Sequence, residues 1–232
     1  AVGDRALDPG LVPMSDDSRK GLLSGLEVRR PALSRTGFYV DQAGAVLTTM
    51  EAVDQCDRIT LDLGPEADLV ATDAGLGLAL LTPKKPLSPQ AVAELLTSGT
   101  PRVGAEVAVS GYSYEDTLPA PTLTFGTLED DKGLDGQPGL ARLSLAALAG
   151  DAGGPVLDGA GTVLGMLLPR TTDGSRQLPA EVGHAAQGAA IAGWLQTAGG
   201  ITPRVSTRQG ALAPEDLTRL AEGMTVLVSC WK

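Results

Sequence analysis

The chain has 232 residues, of which 43% are hydrophobic, with 30 glycines and 16 prolines. That is enough core and enough turns for one β-rich domain of the barrel or sandwich type, or two small ones. A formal net charge of −10, uninterrupted by any basic cluster, argues against nucleic-acid binding and adhesion to anionic lipid, and no apolar run approaches the roughly 18–20 residues that a membrane insertion needs.

Residues 1–24 are weakly patterned. Pro9-Gly10, Pro13 and the acids Asp4, Asp8, Asp16 and Asp17 suit an N-terminal arm with at most one short helix, not a signal peptide. Leu26 to Leu33 could form a strand, which Pro31 would restrict to a sheet edge. From Thr36 the pattern sharpens. Gly37-Phe38-Tyr39-Val40 predicts a strand, Asp41–Gly44 a turn, Ala45–Thr49 a returning strand and Met50–Val53 a helical turn. Arg58–Leu63 alternates as a half-buried strand, and Asp68–Leu81 supplies more strand. Pro83, Pro86 and Pro89 mark a connection, with a helical stretch expected over Gln90–Leu96.

Arg102–Tyr112 and Thr122–Leu128 predict two further strands, Glu129–Pro138 a loop and Leu140–Leu145 another strand. The segment Gly150-Asp151-Ala152-Gly153-Gly154-Pro155 then describes a tight loop whose backbone approaches something closely. Val156-Leu157 and Val163–Leu168 flank a Gly-Ala-Gly turn and form a hairpin. Thr171–Ser175 is a turn, Ala185–Ala190 a strand and Ile191–Thr197 a helix. In the tail, Pro214, Glu215 and Asp216 start a helix that Gly223 stops, and Met224–Trp231 is a strand.

Cys56 and Cys230, with a single histidine at His184, do not match zinc-ligand spacing, so no metal and no cofactor is expected. The two thiols are either free and buried or joined. A disulfide is favoured because both lie beside apolar strands, and it would imply an oxidising compartment, periplasmic or extracellular.

Gly150–Pro155 resembles the Gly-Asp-Ser-Gly-Gly-Pro signature of the trypsin/chymotrypsin-like serine proteases, including the HtrA-type branch. Gly37–Val53 is similar to the HtrA-type run ending Leu-Thr-Asn-x-His-Val-Val, with Leu47-Thr48 matched and Ala52-Val53 standing for the Val-Val pair. Thr72-Asp73 and Leu78-Ala79-x-Leu81 match Thr-Asp-x-x-x-Asp-Leu-Ala-x-Leu. The likeness extends over roughly residues 36–198. It implies an all-β fold of two six-stranded antiparallel β-barrels with short helices: residues 1–24 an arm, 25–200 the double barrel (first about 25–85, second about 100–198), and 201–232 a helix–strand extension docked outside the first barrel, fastened by Cys56–Cys230.

The same likeness assigns the triad positions. The nucleophile falls on Ala152, the histidine on Glu51 and the orienting aspartate on Gly77, so no catalytic residue is expected at any of the three. Backbone amides of Gly150 and Ala152, around Asp151, correspond to the oxyanion hole and need no side chain. The expectation is a non-catalytic pseudoprotease of the bacterial envelope, periplasmic or secreted, that binds or scaffolds a protein, peptide or cell-wall-associated partner. Two alternatives stay open: a structural accessory domain of a longer envelope protein, and a hydrolase using Glu51 and Asp151 as paired carboxylates.

Overall fold

The computed structural model describes residues 29–99, 101–170 and 178–232. The expected arm 1–24 and the turn at Thr171–Ser175 lie outside the described residues, as do residues 26–28 of the expected Leu26–Leu33 strand; residues 29–32 carry no strand. In chain order the strands begin β1 (Leu33–Tyr39), β2 (Val46–Thr49), β3 (Arg58–Leu61), β4 (Glu66–Asp73), β5 (Leu78–Pro83) and β6 (Glu94–Leu95). Next come β7 (Glu106–Gly111), β8 (Thr122–Asp130), β9 (Leu140–Ser144), β10 (Pro155–Leu157), β11 (Val163–Leu167) and β12 (Val182–Gln187). Helix α1 (Gly188–Ala198), β13 (Arg204–Val205), helix α2 (Pro214–Met224) and β14 (Thr225–Trp231) complete the chain.

Two closed barrels result. The first runs β1-β14-β3-β4-β5-β2. The second runs β10-β7-β8-β9-β12-β11 and closes through the β10–β11 hairpin, with the two-residue strand β6 added in parallel on β11 and β13 in parallel on β6. The all-β, two-barrel expectation is met. The tail departs from it, because its strand is not an outside attachment. Strand β14 is the sixth stave of the first barrel, antiparallel to β1 from Leu33↔Cys230 to Phe38↔Thr225 and to β3 from Val228↔Leu61 to Trp231↔Arg58.

Why the apolar runs of the first barrel do not alternate with polar residues follows from what covers them. Val46, Ala79, Leu81, Val226 and Val228 fill that barrel's interior. Their neighbours Phe38, Leu47, Leu78 and Leu80 point the other way into a second core, shared with Leu157, Val163 and Met166 of the second barrel. Both faces are dry, so the period of two survives only in which core each side chain joins. Ile191 and Leu195 of α1, and Leu217, Ala221 and Met224 of α2, close this shared core at helical spacing.

The helix expected over Gln90–Leu96 does not form. Ala91 N donates to Gly223 O, Ala93 N to Tyr39 O and Leu96 N to Val163 O, each at 2.9–3.0 Å. Partners on three separate elements satisfy the backbone that a helix would have satisfied internally, and local propensity loses.

Cys56 and Cys230 are joined, with Cα atoms 5.3 Å apart across a sequence separation of 174. The bridge pins the end of β14 beside the Met50–Val53 turn. Replacing both cysteines by alanine is expected to lower unfolding free energy by about 4–5 kcal/mol in the chain-entropy account. Urea denaturation of variant and wild type checks this; coincident transitions would refute it.

Candidate functional site

The Gly150–Pro155 loop leaves the second barrel and touches the first. Ala149–Asp151 make one 3-10 turn. At Gly153, φ is +91° and a Cβ would collide with the Thr36 carbonyl, so glycine alone lets the loop lie against β1. Three hydrogen bonds fasten the contact. Thr36 N donates to Ala152 O at 3.0 Å, Thr36 Oγ1 donates to Gly150 O at 2.7 Å, and Tyr112 N donates to Thr36 Oγ1 at 2.8 Å.

Asp151 braces this turn from within. It is 1% exposed; its Oδ1 accepts from Ser113 Oγ at 2.6 Å and its Oδ2 from Leu148 N at 2.8 Å. Burial pushes the carboxyl above its usual pKa range, against the lowering effect of those two bonds. Both oxygens are committed to the loop itself, which makes Asp151 structural.

Glu51 lies in the Met50–Val53 turn that follows β2. Met50 N donates to Gly77 O at 3.0 Å, so the backbone brings the positions assigned to histidine and aspartate side by side. Gly77 has φ of +70°, and a Cβ there would stand 3.4 Å from Leu168 Cδ2. What occupies the histidine position is an ion pair. Arg35 Nε donates to Glu51 Oε1 at 2.5 Å, and Arg35 Nη1 donates to Glu115 Oε1 at 2.9 Å. The Arg35 side chain is only 12% exposed, so the guanidinium is held in a fixed fork between two carboxylates.

Glu51 and Arg35 line a cavity of about 220 Å³ together with Ala152, Leu148, Leu168 and Val182. The structure therefore gathers Glu51 and Ala152 at one cavity, with Gly77 packed behind its Leu168 wall. It does not bring the Asp151 carboxylate there, so Glu51 and Asp151 do not share this cavity. His184, opposite Arg142 on β9, does not line the cavity either; burial, and secondarily Arg142, lowers its pKa.

The amide nest expected at Gly150 and Ala152 is altered. Ala152 N donates to Ala149 O at 3.3 Å, so this amide is turned back into its own 3-10 turn. An arriving anion would have to displace that carbonyl before using the Ala152 N–H.

Arg35 is the residue that sequence reading missed. Its signal was an arginine inside an otherwise small and apolar strand, Ser34-Arg35-Thr36-Gly37-Phe38, where a buried cation needs an anionic partner.

Comparisons with known proteins agree with the two-barrel fold. The family model of the trypsin-like peptidase domain matches residues 35–166. Over 205 residues the chain is 26% identical to the uncharacterized protein y4bJ of Sinorhizobium fredii, covering 84% of this chain and 32% of that protein. The chain thus spans about a third of the length of the curated relative it matches. Among solved structures it is similar to Rv3671c from M. tuberculosis H37Rv, a serine-to-alanine mutant in an inactive form. Identity there is 25%, covering 75% of this chain and 86% of that one, with a TM-score of 0.56. It is likewise similar to an inactive form of the Rv3671c protease, at 26% identity over 73% of this chain and 86% of that one, TM-score 0.56.

Proposed function

This chain belongs to the trypsin-like peptidase domain family, and from that membership we infer a member that has lost catalysis and kept the scaffold for binding. The observation that carries the reading is the Arg35–Glu51 ion pair at 2.5 Å, standing beside the Ala152 methyl where the family places a base beside a hydroxyl. Alanine offers no nucleophile, and the Glu51 carboxylate is engaged by the Arg35 guanidinium. The partner we propose is a protein, a peptide or a cell-wall-associated molecule of the bacterial envelope. In support of the peptide reading, the cavity walls are largely apolar, and Leu168-Pro169-Arg170 runs beside it directly after β11. An extended peptide could pair along such a segment. The Cys56–Cys230 disulfide supports a periplasmic or secreted location. No helix among the described residues is long and apolar enough to cross a membrane.

One observation favours a second reading, the accessory domain of a longer protein: in y4bJ the matching region is 32% of the chain.

A fluorophosphonate that labels serine hydrolases is expected to leave this protein unlabelled, as followed by intact mass. Ala152→Ser alone should add no turnover, since a hydroxyl without its histidine base falls short by roughly 10⁴–10⁶-fold. Stoichiometric labelling of the wild-type chain would overturn the proposal.

A further inference from the structure

A second cavity, of about 390 Å³, lies away from the degenerate triad, and its chemistry is unlike that of the first. Tyr39, Tyr112, Asp62 and Glu222 line it, with Pro89 and Pro121 among its walls, and no lysine or arginine among the described residues does. Tyr39 comes from the end of β1, Asp62 from the β3–β4 turn, Tyr112 from the end of β7 and Glu222 from the last turn of α2. Four separate elements thus converge on one space.

Two details suit the space to a charged guest. Tyr39 is 8% exposed, and its hydroxyl has no hydrogen-bond partner among the described residues. A phenol whose ring is buried and whose hydroxyl opens on the cavity is a donor and acceptor open to a guest. The Asp62 carboxylate, for its part, accepts Leu227 N at 3.0 Å and Tyr112 Oη at 3.4 Å. Neither of these is a cation. Loss of water around the carboxylate, opposed by those two bonds, raises its pKa. Burial and then Asp62 push Tyr39 up to about 12; burial, then the charge of Asp62 and its hydrogen bond, with smaller contributions from Tyr39 and lastly Glu222, push Tyr112 higher still. The whole space carries uncompensated negative potential that an incoming cation would relieve.

We propose that this cavity is a binding site for a basic side chain, a lysine or arginine of a partner polypeptide. The ammonium or guanidinium would donate to the Asp62 and Glu222 carboxylates and to Tyr39 Oη. The tyrosine rings and the prolines would take the alkyl stem, with the ring quadrupoles adding attraction for the charge. Metal is a poorer fit, because no group of three or more metal-ligating side chains forms among the described residues. The chain's net charge of −10 favours approach of a basic partner in the same sense. The site stands independently of whether the triad cavity binds peptide, since it shares no lining residue with it.

The test is a titration of the isotope-labelled full chain with N-acetyl-lysine methylamide, followed by NMR, beside its neutral counterpart N-acetyl-norleucine methylamide. Saturable shifts confined to Tyr39, Asp62, Tyr112 and Gly223 are expected with the lysine probe alone. Glu222→Gln, on an exposed helix position, and Asp62→Asn, which keeps an acceptor for Leu227 N, should each weaken binding by at least about tenfold. Equal binding of the norleucine probe would overturn the proposal. So would absence of shifts at these residues, or unchanged affinity in both variants.

Discussion

A chain ended at Met224 is expected not to fold. Removing Thr225–Trp231 takes away the stave between β1 and β3, leaving both with unpaired backbone edges. Val226, Leu227 and Val228 are at most 3% exposed, and burial of each such side chain contributes about 1.5–3 kcal/mol. Loss of the three, with the ladder bonds and the Cys56–Cys230 bridge, exceeds the about 5–15 kcal/mol by which domains of this kind are stable. The opened edges of β1 and β3 should then drive aggregation. Circular dichroism and gel filtration of the truncated protein measure the outcome. A monomer with a cooperative thermal transition would show that β14 is dispensable. A helix–strand unit docked outside a complete barrel would have allowed that result; a stave does not.

This strand marks the boundary of what could be read from sequence. Thr225–Trp231 was legible as a strand and α2 as a helix, because proline, acids and glycine punctuate them locally. Where the strand goes was not, since Val226 and Val228 are equally apolar on the barrel interior or against its outside, and pairing with Leu33–Phe38 spans almost the whole chain. Gln90–Leu96 failed in the opposite direction. Its composition suits a helix, but its amides are claimed by Tyr39, Val163 and Gly223, none of them sequence neighbours. At the site, the glycine loop was readable from motif positions alone, as was the assignment of Glu51, Gly77 and Ala152 that the resemblance implies. Arg35 and the inward-turned Ala152 amide were not, because a motif states which residues align and is silent on which atoms pair. The Tyr39–Asp62–Tyr112–Glu222 cavity has no linear signature at all, as its members come from four elements.

Thr36→Val is expected to cost about 2–6 kcal/mol, far more than Thr36→Ser. Thr36 is 0% exposed, and its Oγ1 joins the two barrels by donating to Gly150 O at 2.7 Å and accepting from Tyr112 N at 2.8 Å. Valine has the same shape and fills the same volume, so no cavity opens, and the whole penalty is chemical. A carbonyl and an amide are left buried without the hydroxyl, at about 1–3 kcal/mol each. Serine keeps both bonds and loses one methyl group, a cost of about 1 kcal/mol. Because Gly150 O belongs to the 3-10 turn that carries Ala152, and Tyr112 precedes the Ser113 that holds Asp151, the valine variant should also loosen the loop ahead of global unfolding. Urea denaturation reports the first effect and hydrogen exchange at the Tyr112 and Ala152 amides the second. Equal stability of the valine and serine variants, with unchanged exchange, would mean that the Thr36 hydroxyl is incidental both to the joining of the barrels and to the placement of the loop.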